Sequence, residues 1–350
     1  MPSGAASIDP RRYFDAAGEL TPVVERPPVC LYLEVTNRCN LLCVTCPRTF
    51  EDLEPPADMS WELFTRIVEQ VPDLARAVLH GVGEPLMVRE LPRMVRHLKE
   101  RGVHVLFNTN GVLLDAARGR ALIDAGLDEL RVSLDAAHPE AFRAVRGVDA
   151  FERIVANVRA FVLLQRELGR TSPRVSLWLT GLKETLTELP HFVRLAHDLG
   201  VPEVHLQRLV YFPAGQGLAR PESALFENLE AEERTFLHAA TEVAQELGVT
   251  FNASGAVEPE LSVRKRADSR PWSLCRRPWT LMYFTATGRA LPCCIAPFSM
   301  RGYQSFTLGD ATQETLRDIW NGPRYQAFRG ALASDHPPEA CSSCGLRWSL

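Results

Sequence analysis

No stretch of this chain stays apolar for the ~18 residues that a membrane-crossing helix needs. The best candidate, 29–35, already contains Glu34 and runs into Asn37 and Arg38. A membrane-spanning helix is thereby excluded. The start, Met1-Pro2-Ser3-Gly4-Ala5-Ala6, lacks a basic segment followed by an apolar one. No standard secretion signal is expected, and a cytoplasmic protein is. Charge of one sign is also missing: 39 basic and 43 acidic side chains leave a net −4. That balance gives no overall footprint for nucleic acid or a membrane surface. Internal repeats and low-complexity tracts are absent, and no cysteine falls between Cys46 and Cys275. What remains is a globular composition, 46% hydrophobic over 350 residues, ample for a buried core and about two domains.

The first 28 residues are polar and end in Pro27-Pro28, which reads as a short arm over 1–28. Over 29–215, β-rich runs at 30–35, 77–80, 103–107, 129–134, 174–179 and 203–207 alternate with amphipathic runs at 61–71, 91–100, 115–125, 151–168 and 189–199. Such alternation predicts an α/β fold with a parallel sheet and helices on its outer face. In that architecture the site lies at the carboxyl ends of the strands. Polar residues gather there: Thr36-Asn37-Arg38, Gly81-Val82-Gly83-Glu84, Thr109-Asn110-Gly111 and Asp135. A connector over 216–270 contains a helix near 230–247, and a cysteine- and aromatic-containing small domain is expected over 271–350.

Nine cysteines in a cytoplasmic chain point to metal or catalysis rather than disulfides. Cys39, Cys43 and Cys46 stand together in a loop directly after the first strand. A structural zinc site takes four ligands, and no fourth Cys or His is near in sequence, although a distant residue could complete one. Three thiolates suit an iron–sulfur cube better, because the fourth iron is left open for a catalytic ligand. The pattern Cys39-x3-Cys43-x2-Cys46 after a strand resembles the signature of the radical SAM (S-adenosylmethionine) enzymes. That resemblance implies a [4Fe–4S] cluster held by the three cysteines and SAM, and a partial (β/α)6 TIM-like barrel with a small C-terminal Cys-rich iron–sulfur domain. It also implies a 5′-deoxyadenosyl radical as the reactive species. Further matches follow in order. Gly81-Val82-Gly83-Glu84-Pro85 is similar to the element beside the SAM amino group, where glycines permit close backbone approach. Ser133, Asp135 and Arg146 resemble positions that hold the SAM ribose and carboxylate. Asn110 lies in a matching turn. The family's aromatic before the third cysteine is replaced by Thr45, so adenine contacts are expected elsewhere, near Gln207.

In the last quarter Cys275, the Gly288-x4-Cys293 spacing and Cys341-x2-Cys344 resemble the SPASM/twitch extension of radical SAM enzymes. The resemblance implies one auxiliary [4Fe–4S] cluster bound by Cys275, Cys293, Cys341 and Cys344. A zinc ribbon on the same thiols is the alternative. Cys30 reads as a small buried hydrophobe. Cys294 is a hydrogen donor to a substrate radical, a replacement ligand, or a packing residue.

A fully ligated auxiliary cluster favours electron removal, and hydrogen delivery by Cys294 favours epimerisation. The expected activity is therefore abstraction from a carbinol-type carbon of a small polar, sugar-like metabolite, ending in epimerisation or two-electron oxidation. Many peptide-modifying members carry a recognition module ahead of the barrel, and 28 residues are too few for one. A peptide maturase is the alternative enzyme, and an iron–sulfur or zinc binding protein is the non-enzyme alternative. An external one-electron donor such as flavodoxin or ferredoxin is implied; nucleic acid and membrane partners are not. Eight basic residues (Arg264, Lys265, Arg266, Arg270, Arg276, Arg277, Arg289, Arg301) against Glu260 and Asp268 could face an anionic substrate.

Overall fold

A computed structural model of the chain describes residues 9, 13–211, 215, 217–226, 228–254, 258–264, 270–299, 302, 306–342 and 344. Ten strands build one sheet: β1 Cys30–Leu33, β2 Arg76–Val78, β3 His104–Thr109, β4 Glu129–Ser133, β5 Arg174–Gly181, β6 Glu203–Arg208, β7 Thr250–Ala253, β8 Leu281–Phe284, β9 Arg289–Leu291 and β10 Gly309–Asp310. Their spatial order is β10-β9-β8-β1-β2-β3-β4-β5-β6-β7. Neighbours from β1 to β7 are parallel, and each such step needs a crossover. Helices supply them: α1 Trp61–Val68, α2 Leu91–Glu100, α3 Ala116–Ala125, α4 Pro139–Arg146, α5 Phe151–Glu167, α6 Leu189–Asp198 and α7 Arg234–Leu247. The result is the expected partial TIM-like barrel.

Strand alternation sorts the two faces. On β4, Leu130 and Val132 are buried, whereas Glu129, Arg131 and Ser133 are half-buried on the opposite face. β6 repeats the pattern, with Val204 and Leu206 buried and His205 and Gln207 half-buried. The buried set joins Phe64, Leu98, Leu122, Ile154 and Phe192 in one core, so this face packs on the helices. The polar face lines the barrel lumen.

Three features lie outside the expected alternation. Helix α4 follows β4 as an extra helix in the crossover to β5, bounded by Pro139 at its start and Gly147, at φ +70°, after its end. Strand β7 has only four residues. Most consequential is the C-terminal segment, which does not stand apart. Strand β8 pairs in parallel with β1, from Cys30↔Leu281 to Leu33↔Phe284, and carries β9 and β10 antiparallel beyond it. Without β8 the buried edge of β1 would leave backbone donors and acceptors unpaired.

The N-terminal arm is clasped by the same segment. Trp279 Nε1 donates to the Thr21 carbonyl (2.7 Å), Trp320 Nε1 to the Arg26 carbonyl (2.9 Å) and Arg329 Nη1 to the Pro22 carbonyl (3.1 Å). Among the described residues no helix is long and apolar enough to cross a membrane.

Candidate active site

The loop after β1 is fixed through its backbone, which leaves its thiols to point elsewhere. Arg48 Nη2 donates to the carbonyls of Cys39 (3.2 Å) and Leu41 (2.6 Å), and Thr49 Oγ1 donates to that of Cys43 (2.8 Å). Cationic or amide groups face the sulfurs: Arg146 Nη1 lies 3.6 Å from Cys43 Sγ and Asn110 Nδ2 3.8 Å from Cys39 Sγ. Burial pushes the Cys46 thiol up to about 12 and raises that of Cys39. Three thiolates in such a place are unfavourable unless positive charge accompanies them, which metal binding supplies. The donor set fits an iron–sulfur cube.

The loop after β2 lies against this one. A Cβ on Gly83 would meet the Thr36 carbonyl at 2.2 Å and the Arg38 carbonyl at 2.6 Å, and one on Gly81 would meet Glu34 side-chain atoms at 2.3 Å. Both glycines are required by close approach. Glu84 is buried with its carboxylate already engaged: Oε1 accepts from Leu86 N (3.0 Å) and Thr109 Oγ1 (2.7 Å), Oε2 from Asn110 N (2.7 Å). It ties the β2 and β3 ends together, and Pro85 starts the short turn beyond it. Asn110 in turn donates to Asn40 Oδ1 at 2.8 Å.

Ser133 ends β4, and the next turn places Asp135 in the left-handed region at φ +63°. This rare conformation for a non-glycine residue aims the carboxylate at two partners. Oδ1 accepts from Thr180 N (2.6 Å), and Oδ2 lies 2.6 Å from Arg146 Nη2. Burial opposes the Arg146 charge, but Asp135 and the thiols of Cys43 and Cys46 outweigh it and raise its pKa. Asp135 and Arg146 thus form a buried pair that touches the cysteine loop. Gln207 stands on β6 in register with Thr180, two strands from Ser133.

The second thiol set surrounds one cavity. Cys275, Cys293, Cys341 and Cys344 all line it, with Arg277 as the charged group and apolar walls such as Trp272 and Phe328. Among the described residues no three His, Cys, Asp or Glu side chains form a group able to hold a single metal ion. Four thiols around one cavity match the ligand count of a cluster with no open iron. Cys294 is not part of that wall; its thiol contacts Tyr32 and Arg277 and is raised by burial. Cys30 is fully buried in β1. The basic run disperses: Arg264 pairs with Glu260, Arg270 with Asp335 and Arg289 with Glu54, while Lys265, Arg266, Asp268 and Arg301 lie outside the described residues.

Several residues of the site carry no sequence motif. Glu34, 2% exposed, accepts from Val82 N (2.9 Å), Tyr283 OH (2.7 Å) and Ala286 N (3.2 Å), which locks the glycine loop to the C-terminal hairpin. Burial pushes its pKa up to about 7. Arg131, Trp178 and His205 line the lumen on three adjacent strands. Their signal in the sequence is only the period-two alternation of polar residues on strands expected to be buried.

Comparison with known proteins places this geometry. Residues 33–196 match the Radical SAM superfamily and residues 275–345 match SPASM, an iron–sulfur cluster-binding domain. A PqqA peptide cyclase of Gluconobacter oxydans (strain 621H) is 30% identical over 325 residues, covering 91% of this chain and 83% of the relative. The tungsten-containing aldehyde ferredoxin oxidoreductase cofactor-modifying protein of Pyrococcus furiosus is 26% identical over 337 residues, covering 91% and 87%. The crystal structure of Streptococcus suis SuiB bound to precursor peptide SuiA shares the fold, with a TM-score of 0.68 at 17% identity over 93% of this chain and 71% of that one. These findings overturn the expected small-metabolite epimerase or dehydrogenase, because peptide cyclases recur among the full-length relatives. The length of chain ahead of the barrel does not decide substrate class, which belongs to the site rather than to the fold.

Proposed function

Because the chain belongs to the radical SAM superfamily, with a SPASM iron–sulfur domain and hence a SAM-binding [4Fe–4S] cluster and an auxiliary cluster, we propose that it modifies a peptide. One observation carries the reading: the similarity to PqqA peptide cyclases runs through the barrel, the connector and the C-terminal segment alike. Cys39, Cys43 and Cys46 hold the first cluster, and Cys275, Cys293, Cys341 and Cys344 the auxiliary one. When bound, the reduced cluster and SAM supply a carbon radical able to take a hydrogen atom from an unactivated C–H bond.

The chain's own groups bind and orient. Gly81 and Gly83 let the β2 loop approach the cysteine loop closely enough for its carbonyls to receive the SAM ammonium. Glu84 and Asn110 hold that loop at its spacing from Cys39. Arg146, oriented by Asp135, offers positive charge to the SAM carboxylate and to the cluster thiolates. Ser133 and Gln207 face the ribose and adenine from the strand ends. The half-buried lumen below receives the peptide.

The test is anaerobic turnover of the reconstituted enzyme with SAM, reductant and a randomised heptapeptide library. Peptide-dependent formation of 5′-deoxyadenosine together with a changed peptide mass is the expected result. Deoxyadenosine formed at one rate with or without peptide, and peptides of unchanged mass, would reject the reading.

A further inference from the structure

The lumen holds a built cationic stack that neither cluster nor SAM accounts for. Strands β4, β5 and β6 set Ser133, Trp178 and His205 at one level and Arg131 one step deeper, opposite Ser176. Arg131 reaches up so that its guanidinium carbon lies 4.5 Å from the centroid of the Trp178 ring. The His205 ring stacks on Trp178 at 3.9 Å and 20°, and Trp178 Nε1 donates to Ser176 Oγ at 2.8 Å. One edge of Arg131 is held by Glu129, whose Oε2 accepts from Nε (3.2 Å) and Nη2 (2.7 Å). Arg131 Nη1 makes no hydrogen bond among the described residues.

Glu129 is not reserved for Arg131. Glu129 also receives His104 Nε2 at 2.8 Å and feels Arg76, so one carboxylate serves two guanidinium groups. The next carboxylate on this face, Glu203, is paired with Arg174. Burial and the Arg131 charge keep His80 and His205 neutral, at about 4 and about 3. A positive charge, flat aromatic surface and a donor with no protein partner therefore stand together, one layer below Ser133. A guanidinium fixed on an indole face and a carboxylate is preorganised for a further planar anion.

We propose that Arg131, Trp178 and His205 form a substrate subsite for a carboxylate, the acidic side chain of a peptide residue, with Arg131 Nη1 donating to it and the ring stack covering its methylenes. The subsite rests on the peptide reading for its occupant but not for its chemistry. It is tested by equilibrium binding to the reconstituted holoenzyme, with N-acetyl-glutamic acid amide and N-acetyl-glutamine amide as probes. The wild type should prefer the acid by about tenfold or more, the range of a charge-assisted hydrogen bond. Arg131→Met should bind both alike, and Arg131→Lys should keep part of the preference, charge without the fork. If Arg131→Met loses its iron or its circular dichroism, Arg131→Lys and the salt dependence of the wild-type preference carry the test. Equal binding of the probes by the wild type, or a preference unchanged by either substitution, overturns the subsite. Turnover of the heptapeptide library separates the two readings. No peptide-dependent turnover with the acid preference intact removes the peptide and keeps the subsite. Turnover of peptides with no acidic preference removes the subsite and keeps the peptide.

Discussion

Glu34 is a carboxylate placed where charge is unfavourable, because burial outweighs the three donors from Val82, Tyr283 and Ala286 and lifts its pKa from an ordinary 4.5 to about 7. A raised carboxyl pKa contributes stability that is fully present below pH 4.5 and is lost as pH rises through about 7. The wild type should therefore lose up to about 3 kcal/mol across that window relative to Glu34→Gln, read as the difference between the two profiles at each pH. Urea titrations of both proteins at several pH values check this. At Gly83 the constraint is steric rather than electrostatic. Gly83→Ala sets a Cβ against two backbone carbonyls that have no rotamer to escape through. It should cost about 1–3 kcal/mol and weaken SAM binding at least tenfold, read by calorimetry. Cysteine and glycine positions of this kind are legible in a sequence because their chemistry is carried by residue type and spacing. Glu34 was not, since its partners Tyr283 and Ala286 are brought to it only by the β1–β8 pairing. Arg131 was hidden for a similar reason, its neighbours lying on two other strands.

Elements were legible in proportion to their length and amphipathicity. The first six strands and the helices α1, α2, α3, α5 and α6 follow the alternation, α7 follows as the connector helix, and caps such as Asp115, accepting from Arg118 N, mark helix starts. The two-residue strand β10 offers no period to detect, and α4 was missed although Phe142 and Val145 mark a buried face, because it stands between β4 and the longer α5 in a single crossover. The helix Pro323–Ala333 shows another limit, because its key residue is a charge buried where hydrophobic patterning expects none. Arg329 is 0% exposed, donates to the carbonyls of Pro278 (2.7 Å) and Trp320 (2.7 Å), and lies over the rings of Trp320 and Tyr325. Arg329→Met strands those carbonyls and the Pro22 contact to the arm. It should lower stability by about 2–4 kcal/mol, with a matching fall in melting temperature, while the cysteine loop at the far end of the chain keeps its place.

At the scale of the molecule, one sheet joins two thiol-lined sites. Strand β1 leads into the first cysteine loop, and its neighbour β8 leads through β9 to Cys293. Tyr32, on β1, contacts Cys294, and both pack with Cys293 against Tyr283, Leu291 and Ala296, which joins β1 to the auxiliary site. The sequence divided these parts into successive domains because it orders residues along the chain, whereas hydrogen bonding across β1 orders them in space. Substrate class was the least legible property, since none of the sequence motifs specifies it. The most direct test of the two-site account is iron and sulfide content after anaerobic reconstitution of a variant with Cys39, Cys43 and Cys46 all changed to Ala. The account predicts about four irons per chain, held by the four C-terminal cysteines alone. Near-zero iron, or zinc in its place, would contradict it.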